Sequence, residues 1–233
     1  MTSIKPKKNI IIVGASRGIG RELAKQLSVD HNVLLLSRNL VKLKELQANS
    51  SSIEVAAIDL GSEKVKESLI AIINEHFEHV DILINNAGLL INKPFGEISE
   101  QEMKDVYNVN VFGLMSTCQA VIPFMKNGGH IVNIGSMGGF QGSSKFPGLS
   151  VYSSSKAAVA SFTECLAEEL KDWGIQVNCL ALGAVQTEML AEAFPEYKTP
   201  MGPEKMAQFI AEFSLNTNEW MNGKVIPVSL TTP

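Results

Sequence analysis

Apolar residues in this 233-residue chain gather in short unbroken runs, separated by longer stretches where they recur every third or fourth position. The first run, residues 10–13, is Ile-Ile-Ile-Val. It is β-branched throughout and too short for a helix, so it predicts a strand buried on both faces. Similar runs predict strands over residues 33–36, 53–58, 80–84, 129–134, 175–180 and 224–230. Between them lie helical patterns. Ile19, Leu23 and Leu27 share one helix face; a second helix covers 39–48, and a third runs from near Ser62 to about Phe77. Ser99 and Glu102 have capping-box spacing and open one long helix that reads to about Lys126. Another packs through Ala157, Ala158, Ala160, Phe162 and Leu166 and stops at the C-cap residue Gly174; the last spans 204–215. Pro195 and Pro200 forbid a continuous helix over 189–203, which reads as a flap over a site. Strands alternating with helices need right-handed crossovers, which put helices on both faces. The pattern therefore predicts a single doubly wound α/β domain over residues 1–233, on a largely parallel sheet of seven strands. No repeat, low-complexity tract or linker divides it.

The candidate chemistry sits at the predicted strand ends, where ligands collect in open α/β sheets. After the first strand comes Gly14-Ala15-Ser16-Arg17-Gly18-Ile19-Gly20 and then a helix. Glycines let the backbone approach a pyrophosphate, and the helix N-terminus offers free N–H groups; the alternative is a plain tight turn. The second strand ends in Ser37-Arg38, without the acid that would bind a ribose 2′-hydroxyl. Arg17 and Arg38 are either two solvated arginines or a pair of cations suited to the 2′-phosphate of NADP. Asp59-Leu60 follows the third strand, and Asp59 suits either a ligand or a helix cap. Asn85-Asn86-Ala87-Gly88 follows the fourth, as a tight turn with spare polar groups for an adenosine. Asn110 falls between Val109 and Val111 inside the long helix, a poor position for Asn unless it is bonded, either to backbone or as a group that holds a water or positions a lysine. Ser136 ends the fifth strand, and Gly183-Ala184-Val185-Gln186-Thr187 follows the sixth.

Tyr152 and Lys156 stand one helical turn apart. Such a pair occurs by chance on many solvated helices. A free phenol titrates at about 10; an ammonium held close lowers that value and suits the phenol to proton transfer near neutral pH.

Composition narrows the field. With 45% apolar and 19% charged residues and a net charge of −4, the chain is globular and mildly acidic. Its only basic cluster, Lys5, Lys7 and Lys8, reads as a solvated terminus, so no nucleic-acid partner is expected. No apolar run approaches the ~20 residues of a membrane span, and no signal peptide is evident. Cys118, Cys165 and Cys179 are widely spaced. They are expected as reduced, buried packing residues of a cytoplasmic protein, not as a disulfide framework or zinc site. His76 and His79, with Glu75 and Glu78, lack a third ligand and read as a solvated helix end; no metal is expected.

The glycine loop, the Asn85–Gly88 turn and the set Asn110, Ser136, Tyr152 and Lys156 together resemble the short-chain dehydrogenase/reductase family, from Asn9 to about Leu230. The resemblance implies a Rossmann-like fold and an oxidoreductase exchanging hydride between NADPH, or less readily NADH, and a small ketone or aldehyde. Tyr152 would be the general acid/base, Lys156 the residue that lowers its pKa and holds the nicotinamide ribose, Ser136 the carbonyl donor and Asn110 the support of a water relay. The cofactor would run along Gly14, Ser16, Arg17, Gly18, Ile19 and Gly20, with Ser37, Arg38, Asp59, Leu60, Asn86, Ala87 and Gly88 on the adenosine side. Gly183, Val185 and Thr187 would lie by the nicotinamide, Thr187 at its carboxamide. Relatives also imply a homo-oligomer, dimer or tetramer, joined through residues 106–125 and 162–170.

Four features depart from the family's pattern. Val13 precedes Gly14 where Thr is usual. Ser136 and Tyr152 lie 16 apart, which predicts an enlarged substrate loop over 139–149. Leu182-Gly183 stands for Pro-Gly, and the C-terminal Asp-Gly-Gly is missing. The rival functions are reduction of carrier-bound 3-oxoacyl groups, a non-catalytic NADPH sensor, and a structural interaction protein.

Overall fold

The computed structural model describes residues 6–125 and 128–230. Lys5 and the predicted helix end at Lys126 lie outside them. Strand β1 (Asn9–Val13) leads into helix α1 (Gly18–Leu27), followed by β2 (Asn32–Ser37), α2 (Leu40–Gln47), β3 (Ile53–Ala57), α3 (Val65–His76) and β4 (Ile82–Asn85). The second half contains α4 (Glu100–Tyr107), α5 (Gly113–Val121), β5 (Gly129–Ser136), α6 (Ser150–Leu170), β6 (Ile175–Leu182), α7 (Glu188–Ala193), α8 (Pro203–Asn216) and β7 (Val225–Val228). The seven strands form one sheet in the order β3-β2-β1-β4-β5-β6-β7, and every pairing is parallel. The fold is a Rossmann-like single domain, as the alternation of runs predicts.

The solid apolar runs follow from burial on two sides. Successive strand residues point to opposite faces. Ile11, Val13, Leu34 and Leu36 join the core under α3, α5 and α6, while Ile10, Ile12, Val33 and Leu35 join the one under α1 and α8. Strand order reverses beside β1: the chain builds outward to β3, then returns to lay β4 on β1's other edge. The crevice that opens between the diverging loops is the usual ligand site of such sheets.

Three local expectations are corrected. The single long helix is broken: a π-helical turn, Asn108–Phe112, separates α4 from α5, and a 3₁₀ turn, Ile122–Phe124, follows. The extra residue in that turn places buried Asn110, and at Gly113 a Cβ would meet the Leu60 carbonyl at 2.6 Å. Strand β6 runs to Leu182, past its predicted end, because it pairs over its whole length with β5, which ends at Ser136 as expected. Cys165 is exposed, whereas Cys118 and Cys179 are buried; position 165 falls off the α6 stripe that buries Val159, Thr163, Leu166 and Leu170.

Away from the strand tips, His130 of β5 is buried and bridges two elements. Its Nδ1 lies 3.0 Å from the Ser214 carbonyl and its Nε2 3.0 Å from the Asn178 amide nitrogen. The Asn178 oxygen accepts from the Lys224 N–H, so its amide nitrogen faces His130 as a donor. Nε2 must then accept, and the ring is neutral. Desolvation pushes the His130 pKa from 6.5 down to about 4. A group depressed in this way favours folding fully above its unfolded pKa, and that contribution is lost as pH falls toward the folded value. His130 is therefore expected to cost roughly 3 kcal/mol of stability between pH 6.5 and 4. Denaturant titrations across that range should show the loss, and His130→Gln should flatten it.

Candidate active site

The loop after β1 rests on the loop after β4 with no side chain between them. At Gly14 (φ +88°) a Cβ would stand 2.6 Å from the Ala87 Cα; at Gly20 it would meet the Gly14 carbonyl at 2.1 Å. The Asn86 N–H donates to the Val13 carbonyl (3.0 Å), its side-chain amide donates to the Gly14 carbonyl (2.9 Å), and the Gly14 N–H donates to the Leu36 carbonyl (2.7 Å). These bonds knit the ends of β1, β2 and β4. Arg17, the N-cap of α1, is extended and gives the helix no side-chain cap, so the first-turn N–H groups face the crevice. Asn85 is corrected from turn to strand. Its amide points into the core, donating to Asn133 (2.9 Å), and only Asn86 serves the loop.

A cleft of about 960 Å³ opens over these loops. Gly14, Ser16, Arg17, Gly18, Ile19, Ser37, Arg38, Asp59, Leu60, Asn86, Ala87, Gly88, Gly183, Val185 and Thr187 all line it, as do Ser136, Tyr152 and Lys156. Two expected residues do not: Gly20 packs behind the loop, and Asn110 lies beneath it. Asp59 caps no helix but accepts from the Gly61 N–H (3.1 Å) in a tight turn. Thr187 is the N-cap of α7 and accepts from the Leu190 N–H (3.3 Å).

Asn110 clamps the loop above it. Its oxygen accepts from the Leu89 N–H (2.7 Å), and its nitrogen donates to the Leu89 carbonyl (3.0 Å) and to Ser155 Oγ (2.9 Å). Buried Ser155 is the neighbour of Lys156 on α6, so the clamp joins the Leu89 loop to the lysine's own turn. Lys156 is 4% exposed, and its Nζ donates to the Ile134 carbonyl at 2.8 Å. Desolvation pushes its pKa down to about 8. Burial also raises the Tyr152 pKa, with a hydrogen bond from Ser136 acting against it. The expected lowering of the Tyr152 pKa by Lys156 is thus corrected: the ammonium is bonded to β5, and Ser136 is the partner that favours the phenolate.

The remaining walls come from segments with little sequence signal. Phe146 and Leu149 of the enlarged loop line the cleft, with Met189, Phe194 and Tyr197 of the flap. The Asn92 amide donates to the Ala193 carbonyl (2.8 Å), tying the flap to the loop after β4. Lys42, in the first turn of α2, lines the same end as Arg17 and Arg38. Its position four residues beyond Arg38 was the available clue. His76 and His79 lie instead at the sheet's opposite end, facing Glu54 (3.8 Å) and Asp81 (3.5 Å). Among the described residues no group of three or more His, Cys, Asp or Glu could hold a metal ion, and no helix is long and apolar enough to cross a membrane.

The sequence profile of the short chain dehydrogenase family matches residues 8–198. The chain belongs to that family. An uncharacterized oxidoreductase of Staphylococcus aureus strain MW2 is 30% identical over 208 residues, covering 87% of this chain and 89% of the relative. Among solved structures, ElxO with NADP bound superposes with a TM-score of 0.84 at 28% identity, covering 96% of this chain and 97% of that one. A 3-ketoacyl-(acyl-carrier-protein) reductase from Brucella melitensis, complexed with NADH, gives 0.85 at 25% identity over 97% and 98%. This short-chain dehydrogenase is accordingly an oxidoreductase.

Replacing Asn110 by Leu would leave the half-buried Leu89 N–H and carbonyl without their partner. The expected cost is about 2–4 kcal/mol, measured by chemical denaturation, and Asn110→Asp, which sets a carboxylate oxygen against the Leu89 carbonyl, should not restore the lost stability.

Proposed function

We propose that this enzyme moves a hydride between NADPH and the carbonyl carbon of a ketone or aldehyde, with Tyr152 as the general acid/base. One observation carries the reading: Ser136 at the end of β5, and Tyr152 and Lys156 on α6, line the same cleft as the glycine loop after β1. The residues present fit a dinucleotide. The uncapped start of α1 and the side-chain-free approach of Gly14 to Ala87 suit a pyrophosphate, and the cleft volume suits a ligand of that size. When bound, the nicotinamide supplies or accepts the hydride.

The chain's own groups do the rest. Gly14, Ser16, Gly18 and Ile19 would hold the phosphates, Arg17 and Arg38 the 2′-phosphate, Asp59, Leu60 and Asn86 the adenosine, and Thr187 and Val185 the nicotinamide. Lys156, pinned by Ile134, would present its remaining protons to the nicotinamide ribose. Ser136 and Tyr152 would donate to the carbonyl oxygen as negative charge develops there, and Tyr152 would give up its proton. A phenol, with its ordinary pKa of about 10, is protonated for this step at neutral pH. The apolar wall of Phe146, Leu149, Met189, Phe194 and Tyr197 supports an apolar substrate around the carbonyl. Reduction of carrier-bound 3-oxoacyl groups is the second reading, favoured by the likeness to the Brucella reductase. An NADPH sensor would have no use for the convergence of Ser136 on Tyr152. A homo-oligomer, dimer or tetramer, belongs to this reading; Phe112, 58% exposed within residues 106–125, is a group that a partner copy would cover.

NADPH consumption against a panel of ketones, aldehydes and acyl-carrier thioesters tests the reaction and separates the two substrates. Tyr152→Phe should lower turnover by about 10²–10⁴-fold and spare NADPH binding; unchanged turnover would refute the assigned acid. Lys156 is cationic below its pKa of about 8 and neutral above it. The kcat/KM of reduction should therefore fall above about pH 8, and Lys156→Arg, whose guanidinium stays charged, should lose that basic limb.

A further inference from the structure

The phosphate-facing end of the cleft contains three cations, Arg17, Arg38 and Lys42. One of them is already engaged. Both terminal nitrogens of the Arg17 guanidinium donate to the Glu192 carboxylate, Nη1 to Oε1 and Nη2 to Oε2, the latter at 3.2 Å. The partners are 175 residues apart, so this contact joins the glycine loop to α7 across the mouth of the cleft. The geometry is a bidentate fork, the same geometry by which a guanidinium grips a phosphate. Glu192 also lies close enough to Lys42 to feel its charge. Its position does not depend on Arg17 alone, because the next residue, Ala193, is held through its carbonyl by Asn92. The carboxylate is thus set at the rim of a cationic site by a second anchor on the opposite wall.

We propose that Glu192 is a specificity-determining residue, whose carboxylate competes with the 2′-phosphate of NADPH for the Arg17 guanidinium and so lowers the preference for NADPH over NADH. The inference rests on the reading of the cleft as a dinucleotide site. A 2′-phosphate must take Arg17 from Glu192 before it gains that contact. The 2′-hydroxyl of NADH carries no charge and leaves the pair intact. Glu192 therefore penalises one cofactor and not the other. The pair is 40% and 62% exposed, so solvent keeps the penalty small.

Fluorescence titration of NADPH and NADH on the wild type and Glu192→Gln measures this. The expected result is NADPH binding tightened by about two- to five-fold, with NADH unchanged. In an Arg17→Gln background the same substitution should have a much smaller effect on NADPH, because the contested guanidinium is gone and only Lys42 still feels the carboxylate. NADPH binding that Glu192→Gln leaves unchanged, weakens, or alters equally with NADH removes the proposal for Glu192 while leaving the dinucleotide site standing. Failure of the wild type to bind either dinucleotide removes that reading of the cleft and the competition with it.

Discussion

The contact between the loops after β1 and β4 is the constraint on which the rest depends. Three strand ends meet there in close backbone contact, with the Asn86 side-chain amide bridging to the Gly14 carbonyl and no space for a Cβ at Gly14 or Gly20. A side chain at either point would push the loops apart and tilt the start of α1 away from the crevice. Because the strand order reverses at this place, the same contact forms the floor of the cleft. Packing and site formation are therefore one requirement: the close approach that lets β1 and β4 pair also leaves room for a phosphate.

The chemistry above that floor is held by a buried polar chain. The π turn in the middle of α4–α5 turns Asn110 toward the Leu89 backbone and Ser155, and Ser155 fixes the turn of α6 that carries Lys156. Local departures from regular helix of this kind are frequent where a site is built. Lys156 is buried at a desolvation cost that depresses its pKa, with the Ile134 carbonyl as compensation. One turn earlier, Tyr152 is half-buried at the cleft wall, with Ser136 beside it. The two groups share a helix face but answer to different neighbours, the lysine to the Ile134 carbonyl and the phenol to Ser136.

The upper walls follow a looser logic. The enlarged loop before α6 and the flap around α7 carry exposed aromatics and are tied to the neighbouring loops by a few contacts, such as Asn92 to Ala193 and Arg17 to Glu192. Segments held this lightly can vary without disturbing the sheet. They border both the apolar end of the cleft and its cationic end.

By itself the sequence determined the strands, the glycine loop and the tyrosine–lysine pair. Each is a local pattern: an Ile-Ile-Ile-Val run suits only burial on two faces, and Tyr152 and Lys156 are neighbours on any helix. The capping box at Ser99 and Glu102 was legible for the same reason. What the tertiary structure decided involves residues far apart in the chain. Periodicity cannot distinguish a continuous helix from one with an inserted π turn, so the break at Asn110 needed its partners at Leu89 and Ser155. The inward turn of Asn85 was hidden because its partner, Asn133, lies on another strand. Nothing near Lys156 in sequence announces the Ile134 carbonyl, and nothing near Arg17 announces Glu192. Those contacts exist only once the sheet has brought its strand ends together, because the energy of a charge is set by what surrounds it in space.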